Sequence, residues 1–147
     1  MNLTNREWKE LAENVHLGGY EYYIHKSNQS IVEVPSEELL AFDDTLDLEE
    51  IRRDFEDKNE MFERILPMDT ESEFEIMEDF VEQLPDCIEK DKLEDSLKGR
   101  YAFREFKGIL KKMDGLMVKW TDFKKGKEVF WVKSQIDNIF EPEEDLL

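Results

Sequence analysis

The stretch 70–113 constrains the fold of this chain most, because its apolar residues recur at helical spacing. Pro85 and Gly99 divide it into three short amphipathic helices. A capping-box pattern, Thr70 to Glu73, predicts the start of the first helix, and Asp86 is the expected cap of the second. The third is the clearest helix in the chain. The C-terminal half is therefore predicted to be mostly helical.

The third helix, predicted over Arg100–Met113, carries cations opposite apolar side chains. Four cations share a narrow wedge of the helical wheel, which we call the basic face: Arg100, Arg104, Lys107 and Lys111. Like charges one turn apart destabilise a helix by roughly a few tenths of a kcal/mol per pair. We therefore expect negative charge nearby. The first expectation is the chain's own carboxylates, and the alternative is an external anion, either a nucleic-acid backbone or an acidic partner surface.

The first part of the chain adds strands to these helices. Segment 20–25 is aromatic and β-branched, turn residues follow it, and segment 31–34 is β-branched again, which predicts a β-hairpin. Residues 61–66 are predicted as a third strand, although so short a segment equally suits an extension of the helix predicted over 46–57. The fold class predicted is α+β, with a small antiparallel sheet packed on helices.

Further helices are predicted at both ends of the chain. Thr4 begins a capping-box pattern, and Gly18-Gly19 closes the helix that follows it. Residues 116–123 suit one or two helical turns, and helical spacing resumes after Gly126, although segment 128–132 also has strand propensity.

At 147 residues, the chain suits one domain over 1–147. Residues 1–68 form its helix, hairpin and acidic helical middle with the third strand. Residues 69–140 form its helical part. Residues 141–147 are expected to fray as a tail.

Charge is distributed unevenly along the chain. The net charge is −18, and residues 1–89 alone hold 26 acidic against 7 basic residues, a net −19. Residues 98–133 hold 11 basic against 4 acidic residues, a net +7. Nucleic acid and anionic membranes repel such an acidic protein at long range. A local basic surface can still bind an anion if the acidic part is turned away.

No apolar run approaches the roughly 18 residues of a membrane span, and the N-terminus has charges where a signal peptide needs an apolar core. We expect a cytoplasmic protein that does not bind membranes. Cys87 is the single cysteine, so an internal disulfide is excluded.

Acidic residues that could share a hard cation occur in three places: Asp43, Asp44 and Asp47; Glu75 with Asp79; and Glu78 with Glu82. None has the spacing of a calcium loop, and with 38 acidic residues such pairs arise readily by chance. His16 suits a helix end, His25 a strand end and Cys87 a helix start. We therefore expect solvated helix faces, with no metal site, no cofactor and no catalytic residue.

Three segments carry a family resemblance: I-M-E-D-F-V-E-Q-L over 76–84, G-R-Y-A-F-R-E-F-K over 99–107, and W-x-x-F over 120–123. With the hairpin and Ile65-Leu66-Pro67 before them, they resemble an uncharacterised bacterial family of UPF class, over roughly residues 20–135. The resemblance implies a bacterial cytoplasmic protein. It implies no activity, so it identifies no catalytic residue.

These observations favour a non-enzymatic interaction or regulatory module that binds a macromolecule through the basic face. A protein partner is favoured over nucleic acid, because the chain as a whole is acidic. Nucleic-acid binding through the same four cations is the alternative, and a metal-dependent enzyme using clustered carboxylates is a further one. The sequence identifies neither the partner nor the oligomeric state.

Overall fold

The computed structural model describes residues 1–43 and 46–141, without the side chain of Leu46. These residues form two units, one of Met1–Pro67 with the residues from Glu128 onward, and the other of Met68–Lys127. Each unit is described by itself below. The single domain over 1–147 stays a prediction, and residues 142–147 of the expected tail lie outside the described residues.

The first unit begins with helix α1 (Asn5–Leu17), which Thr4 caps. The Thr4 hydroxyl accepts a hydrogen bond from the Glu7 N–H at 3.2 Å, and the Glu7 carboxylate accepts one from the Thr4 N–H at 3.1 Å. This capping box satisfies two N–H groups that a helix start leaves without partners. Gly18 ends the helix at φ 84°, a conformation that glycine adopts without steric cost. Both predicted boundaries of α1 are confirmed.

Strands β1 (Tyr20–His25), β2 (Ile31–Pro35) and β3 (Phe62–Ile65) form one antiparallel sheet in the order β2-β1-β3. β1 pairs with both neighbours, so the hairpin and the third strand are confirmed. Side chains alternate between the faces of β1. Tyr22 and Ile24 are buried in the core, whereas Glu21, Tyr23 and His25 belong to the opposite face.

Two helices and a 3₁₀ turn lie between β2 and β3. Helix α2 (Glu37–Phe42) is capped by the Ser36 hydroxyl, and helix α3 (Leu46–Glu56) follows it. The 3₁₀ turn Asn59–Met61 leads into β3. Phe55 of α3 packs on the second face of the sheet, with its ring centroid 4.3 Å from that of Tyr23.

The main core of the first unit joins α1, the sheet and the C-terminal helix α7 (Leu116–Phe140). Its central side chains are Trp8, Ala12, Ile24, Ile65, Val132 and Ile136. Where β3 ends, Trp131 and Gln135 both donate hydrogen bonds to the carbonyl of Leu66, at 2.9 and 2.7 Å. The Leu66 N–H donates to the Gln135 side chain in return, at 2.9 Å. These bonds hold Leu66, the residue that follows β3, against α7.

The second unit begins with helices α4 (Thr70–Gln83) and α5 (Ile88–Leu97). Both predicted caps are displaced by one residue. Asp69, not Thr70, caps α4, because its carboxylate accepts a hydrogen bond from the Ser72 N–H at 2.7 Å. Cys87, not Asp86, caps α5, and its sulfur accepts from the Lys90 N–H at 3.4 Å.

Helix α6 (Ala102–Lys111) is shorter than the predicted Arg100–Met113, because Arg100 and Tyr101 form a turn before it. Gly115, at φ 80°, lies in the turn between α6 and α7 and adopts a conformation that favours glycine. The largest difference from the prediction is α7, which continues through Gly126 as one helix of 25 residues. Segment 128–132 is helical despite its strand propensity. Glycine and β-branched residues lower helix stability only modestly, and packing outweighs that cost.

An aromatic cluster forms the core of the second unit. The Trp120 ring lies 5.2 Å from that of Phe80 and 5.0 Å from that of Phe106, both in edge-on contacts. Such aromatic pairs add about 0.5–1.5 kcal/mol beyond the area they bury. Leu93 of α5 and Leu110 of α6 are fully buried in the same unit. With its three-stranded antiparallel sheet and its mostly helical C-terminal half, the protein has the predicted α+β fold.

The uninterrupted helix α7 makes a prediction at Gly126. A Cβ there would meet nothing within 4 Å, so Gly126→Ala should raise the free energy of unfolding by about 0.5–1 kcal/mol, as expected for a helix interior. Gly115→Ala is the control, because its positive φ should make the same change destabilising by about 1 kcal/mol. Urea unfolding of both variants measures the difference. A destabilised Gly126→Ala protein would contradict a continuous helix.

Candidate interaction surface

The basic face lies on the exposed side of α6 and of the turn before it. Arg100 lies in the turn, Arg104 and Lys107 lie within α6, and Lys111 is the last residue of the helix. All four are exposed. The opposite side of α6 places Phe106 and Leu110 in the core, with 0% of each residue exposed. The core therefore fixes the direction in which the basic face points.

None of these four cations has an Asp or Glu oxygen within 4.0 Å among the residues that the structure describes. The expectation that the chain's own carboxylates pair with the basic face is therefore not met in the described part of the chain. Elsewhere the chain does pair its cations, as at Arg52, which approaches three carboxylates. The basic face is thus a concentration of positive charge without ion pairs to these residues.

Tyr101 organises the two arginines of the basic face. The Arg104 guanidinium carbon lies 4.5 Å from the centre of the Tyr101 ring, and that of Arg100 lies 5.7 Å from it. Tyr101 is 51% exposed. A cation–π contact at an exposed site contributes about 0.5–1 kcal/mol, and the ring has no net charge with which to neutralise the cation. The contacts restrict both guanidinium groups and leave their charge available to a ligand.

Among the described residues, the carboxylates considered for a hard cation form no group of three or more that could hold one. Residues 1–43 and 46–141 contain no group of three or more His, Cys, Asp or Glu side chains placed to hold a metal ion. Asp44, from the first cluster, lies outside the described residues. Glu75, Glu78, Asp79 and Glu82 are all exposed on α4. The hypothesis of a metal-dependent enzyme stays a prediction, and no contact among the described residues supports it.

The two histidines and the cysteine have local structural partners. His16 Nδ1 lies 2.7 Å from the carbonyl oxygen of Ala12 and 3.3 Å from a carboxylate oxygen of Glu128. His25 Nδ1 accepts hydrogen bonds from the N–H groups of Ser27 and Asn28, which shapes the hairpin turn. Cys87 is exposed and caps α5.

A charged network in the first unit was not predicted from the sequence. The Arg52 side chain of α3, 17% exposed, donates hydrogen bonds to the Glu21 carboxylate at 3.3 Å, the Pro35 carbonyl at 3.0 Å and the Glu56 carboxylate at 3.1 Å. It also lies 3.5 Å from a carboxylate oxygen of Glu37. One guanidinium thereby joins α3, β1, β2 and α2. A charged residue at position 21, within an aromatic strand, was the available signal, but its partner is 31 residues away.

The network holds Glu21 ionised and Tyr23 neutral. Burial raises the pKa of Glu21, but the hydrogen bond from Tyr23 and the charges of Arg52 and Arg64 together lower it by more. The pKa of Glu21 therefore lies below its ordinary value. The Tyr23 hydroxyl donates that hydrogen bond at 2.7 Å. Burial and the bond to Glu21 raise the pKa of Tyr23 to about 12. At neutral pH the network is therefore an ionised carboxylate between a guanidinium and a phenol.

The remaining findings concern membrane-spanning helices and the family of the chain. None of the helices in the described part of the chain combines the length and apolar composition needed to cross a bilayer. The model of an uncharacterised protein family, UPF0158, matches residues 3–146. No curated protein and no solved structure matches the chain.

The Glu21–Arg52 contact predicts an acid-dependent loss of stability. Glu21→Gln removes the charge from a contact in which the Glu21 side chain is 14% exposed, and it should lower the free energy of unfolding at pH 7 by about 1–3 kcal/mol. A carboxyl group with a lowered folded-state pKa stabilises the fold above its unfolded pKa, about 4.3, and this contribution is lost as the pH falls. The gap between wild type and variant should therefore shrink below about pH 4.

Glu56→Gln is the matched control, because this carboxylate bonds the same guanidinium from a side chain that is 55% exposed. Its effect should stay below about 1 kcal/mol. Urea unfolding at several pH values measures both variants. Equal effects of the two substitutions, or a gap for Glu21→Gln that persists at pH 3, would contradict the assigned role of Glu21.

Proposed function

The chain belongs to the uncharacterised protein family UPF0158, and we propose that it is a cytoplasmic, non-enzymatic interaction module. Its basic face, Arg100, Arg104, Lys107 and Lys111, binds an acidic surface of a protein partner. The observation that carries the proposal is the exposure of all four cations without a described carboxylate within 4.0 Å.

Like charges that lie close together on a helix carry an energetic cost that an acidic partner can remove. Arg104, Lys107 and Lys111 lie three or four residues apart on one helix and repel one another by roughly a few tenths of a kcal/mol per pair. An acidic partner converts this repulsion into attraction. Arginine also binds carboxylates through two parallel hydrogen bonds, so two ordered guanidinium groups give directional recognition.

The chemistry of the whole chain favours protein over nucleic acid as the partner. The net charge of −18 opposes the approach of a duplex, whose phosphate charge is dense and continuous. A protein presents a few carboxylates on a surface of mixed charge. A protein surface of mixed charge is therefore repelled less by this acidic chain than a duplex is.

Charge reversal of the basic face tests the proposal. Arg104→Glu with Lys107→Glu should weaken capture of a protein partner from a lysate of the source organism by about tenfold or more, because two attractive contacts become repulsive. The capture is made at roughly 50 mM salt, where exposed charges are weakly screened. Mass spectrometry identifies the partner, and titration of that purified protein measures its affinity.

The matched control is Lys9→Glu with Arg53→Glu, which changes the net charge equally at exposed residues outside the basic face. This variant should retain the partner. Retention of the same partner by the folded Arg104/Lys107 variant, or equal loss in both variants, would remove the proposal.

Nucleic-acid binding is the second candidate, and the arginine–tyrosine cluster favours it. Arginine and exposed aromatic rings bind single-stranded nucleic acid by pairing with phosphates and stacking on bases. If the candidate is right, a gel shift with mixed DNA and RNA oligonucleotides at about 50 mM salt gives a complex, and its affinity falls steeply as salt rises. Tyr101→Leu should then weaken the complex at every salt concentration. The absence of any shift at low salt would exclude this candidate.

A further inference from the structure

The first unit contains a polar cleft that the proposed function does not use. Its volume is about 580 Å³, and it lies where β1 begins, β3 ends and α2 starts. Among its lining residues are Tyr20, Glu21, Tyr23, Glu38, Arg52 and Arg64. A cleft of this size is within the range of small-molecule sites, which is about 300–1,000 Å³.

The floor of the cleft is preorganised. Glu21 and Arg52 are held together at 3.3 Å with side chains 14% and 17% exposed, and Tyr23 bonds the same carboxylate. Their charges are mutually satisfied, so this part of the wall supplies shape and fixed polarity. The charges available to a ligand lie at the rim.

The rim carries opposite charges on separate elements. Arg64 of β3 lies directly across from Tyr23 in the sheet register, is exposed, and has no carboxylate within 4.0 Å among the described residues. Glu38 of α2 is exposed and has no described cation within that distance. The neighbouring Glu37 side chain is 83% exposed, and its carboxylate oxygen lies 3.5 Å from a guanidinium nitrogen of Arg52. The rim therefore carries one cation without a described carboxylate, Arg64, and one carboxylate without a described cation, Glu38, whereas Glu37 is already paired with Arg52.

This arrangement selects among ligand charges. A simple anion would meet Arg64 but also the carboxylates of α2, and a simple cation would meet the reverse conflict. A small molecule with one negative and one positive end satisfies both sides of the rim. The carbonyl end of α1 at Gly18 also lines the cleft, and the partial negative charge of a helix C-terminus favours a cationic group.

We propose that this cleft binds a small zwitterion of the amino-acid type. Its carboxylate pairs with the Arg64 guanidinium, and its ammonium group is held by the carboxylate of Glu38. The Tyr20 ring, 37% exposed, and Pro67 supply the apolar contact surface for the rest of the molecule. This site stands independently of the basic face, since each lies wholly within its own unit.

Thermal unfolding of the full chain with each common L-amino acid at about 10 mM is the first measurement, because a ligand that binds the native state raises the midpoint by mass action. At least one amino acid should stabilise the protein. Its N-acetyl and carboxamide derivatives each lack one charge, so their affinities, measured by calorimetry, should be lower by about tenfold or more.

Variants then assign the binding to the cleft. Arg64→Gln and Glu38→Gln should each weaken the best amino acid about tenfold, because each removes one charged hydrogen-bonding partner. Arg53→Gln and Glu50→Gln are the matched controls, since both residues are exposed on α3 and do not line the cleft. Circular dichroism confirms that all four variants are folded.

Several outcomes would overturn the assignment. These are no stabilisation by any amino acid, equal binding of the N-acetyl or carboxamide derivative, or full binding by the Arg64→Gln or Glu38→Gln variant. Inorganic phosphate or spermidine that binds this cleft as tightly as the amino acid would identify a site for a single charge instead. The Arg104/Lys107 charge-reversal variant should bind the amino acid normally, so failure of either proposal is recognised separately.

Discussion

The contact of Phe106 with Trp120 and Phe80 determines which side of α6 faces solvent. The Phe106 ring lies 5.0 Å from that of Trp120 and 6.4 Å from that of Phe80, in a core where it has no exposed surface. Because a helix is rigid, burial of this side chain and of Leu110 one turn later directs the opposite side outward. The exposure of the basic face is thus a consequence of aromatic packing and needs no separate force to maintain it.

Arg52 of the first unit and Arg104 of the second lie in opposite kinds of environment. Arg52 is partly buried among Glu21, Glu37 and Glu56, where it offsets the cost of removing a guanidinium from water by satisfying its donors. Arg104 is exposed to solvent and its guanidinium lies over the Tyr101 ring, which orders the side chain without cancelling its charge. The first arrangement holds elements of the sheet and its helices together. The second leaves charge available for a ligand.

Local patterns predicted most of the elements, and long-range contacts account for what they missed. The hairpin and the capping box at Thr4 depend on residues close in sequence, and both were predicted. Gly126 suggested a break, but α7 continues through it. The helix buries Trp120 before the glycine and Val132 and Ile136 after it. A glycine in a helix interior costs only about 1 kcal/mol, which is small beside the burial of three large side chains. The Arg52 network joins residues that no local pattern connects. Local patterns also could not predict whether the basic face is paired, because that depends on which carboxylates the fold brings within 4.0 Å of it, and none of the described ones lies there.

A strongly acidic protein can display a cationic surface because charge acts over a limited distance in salt. At physiological ionic strength the Debye length is about 8 Å, whereas α6, with 10 residues, is about 15 Å long at 1.5 Å per residue. A partner in contact with the helix is therefore influenced most by charges within about one Debye length of it, and these include Arg104, Lys107 and Lys111. The net charge of −18 then acts mainly during approach, when it slows encounter with large anions. It follows that affinity for the basic face depends on local geometry, whereas the choice among classes of partner depends on the whole chain.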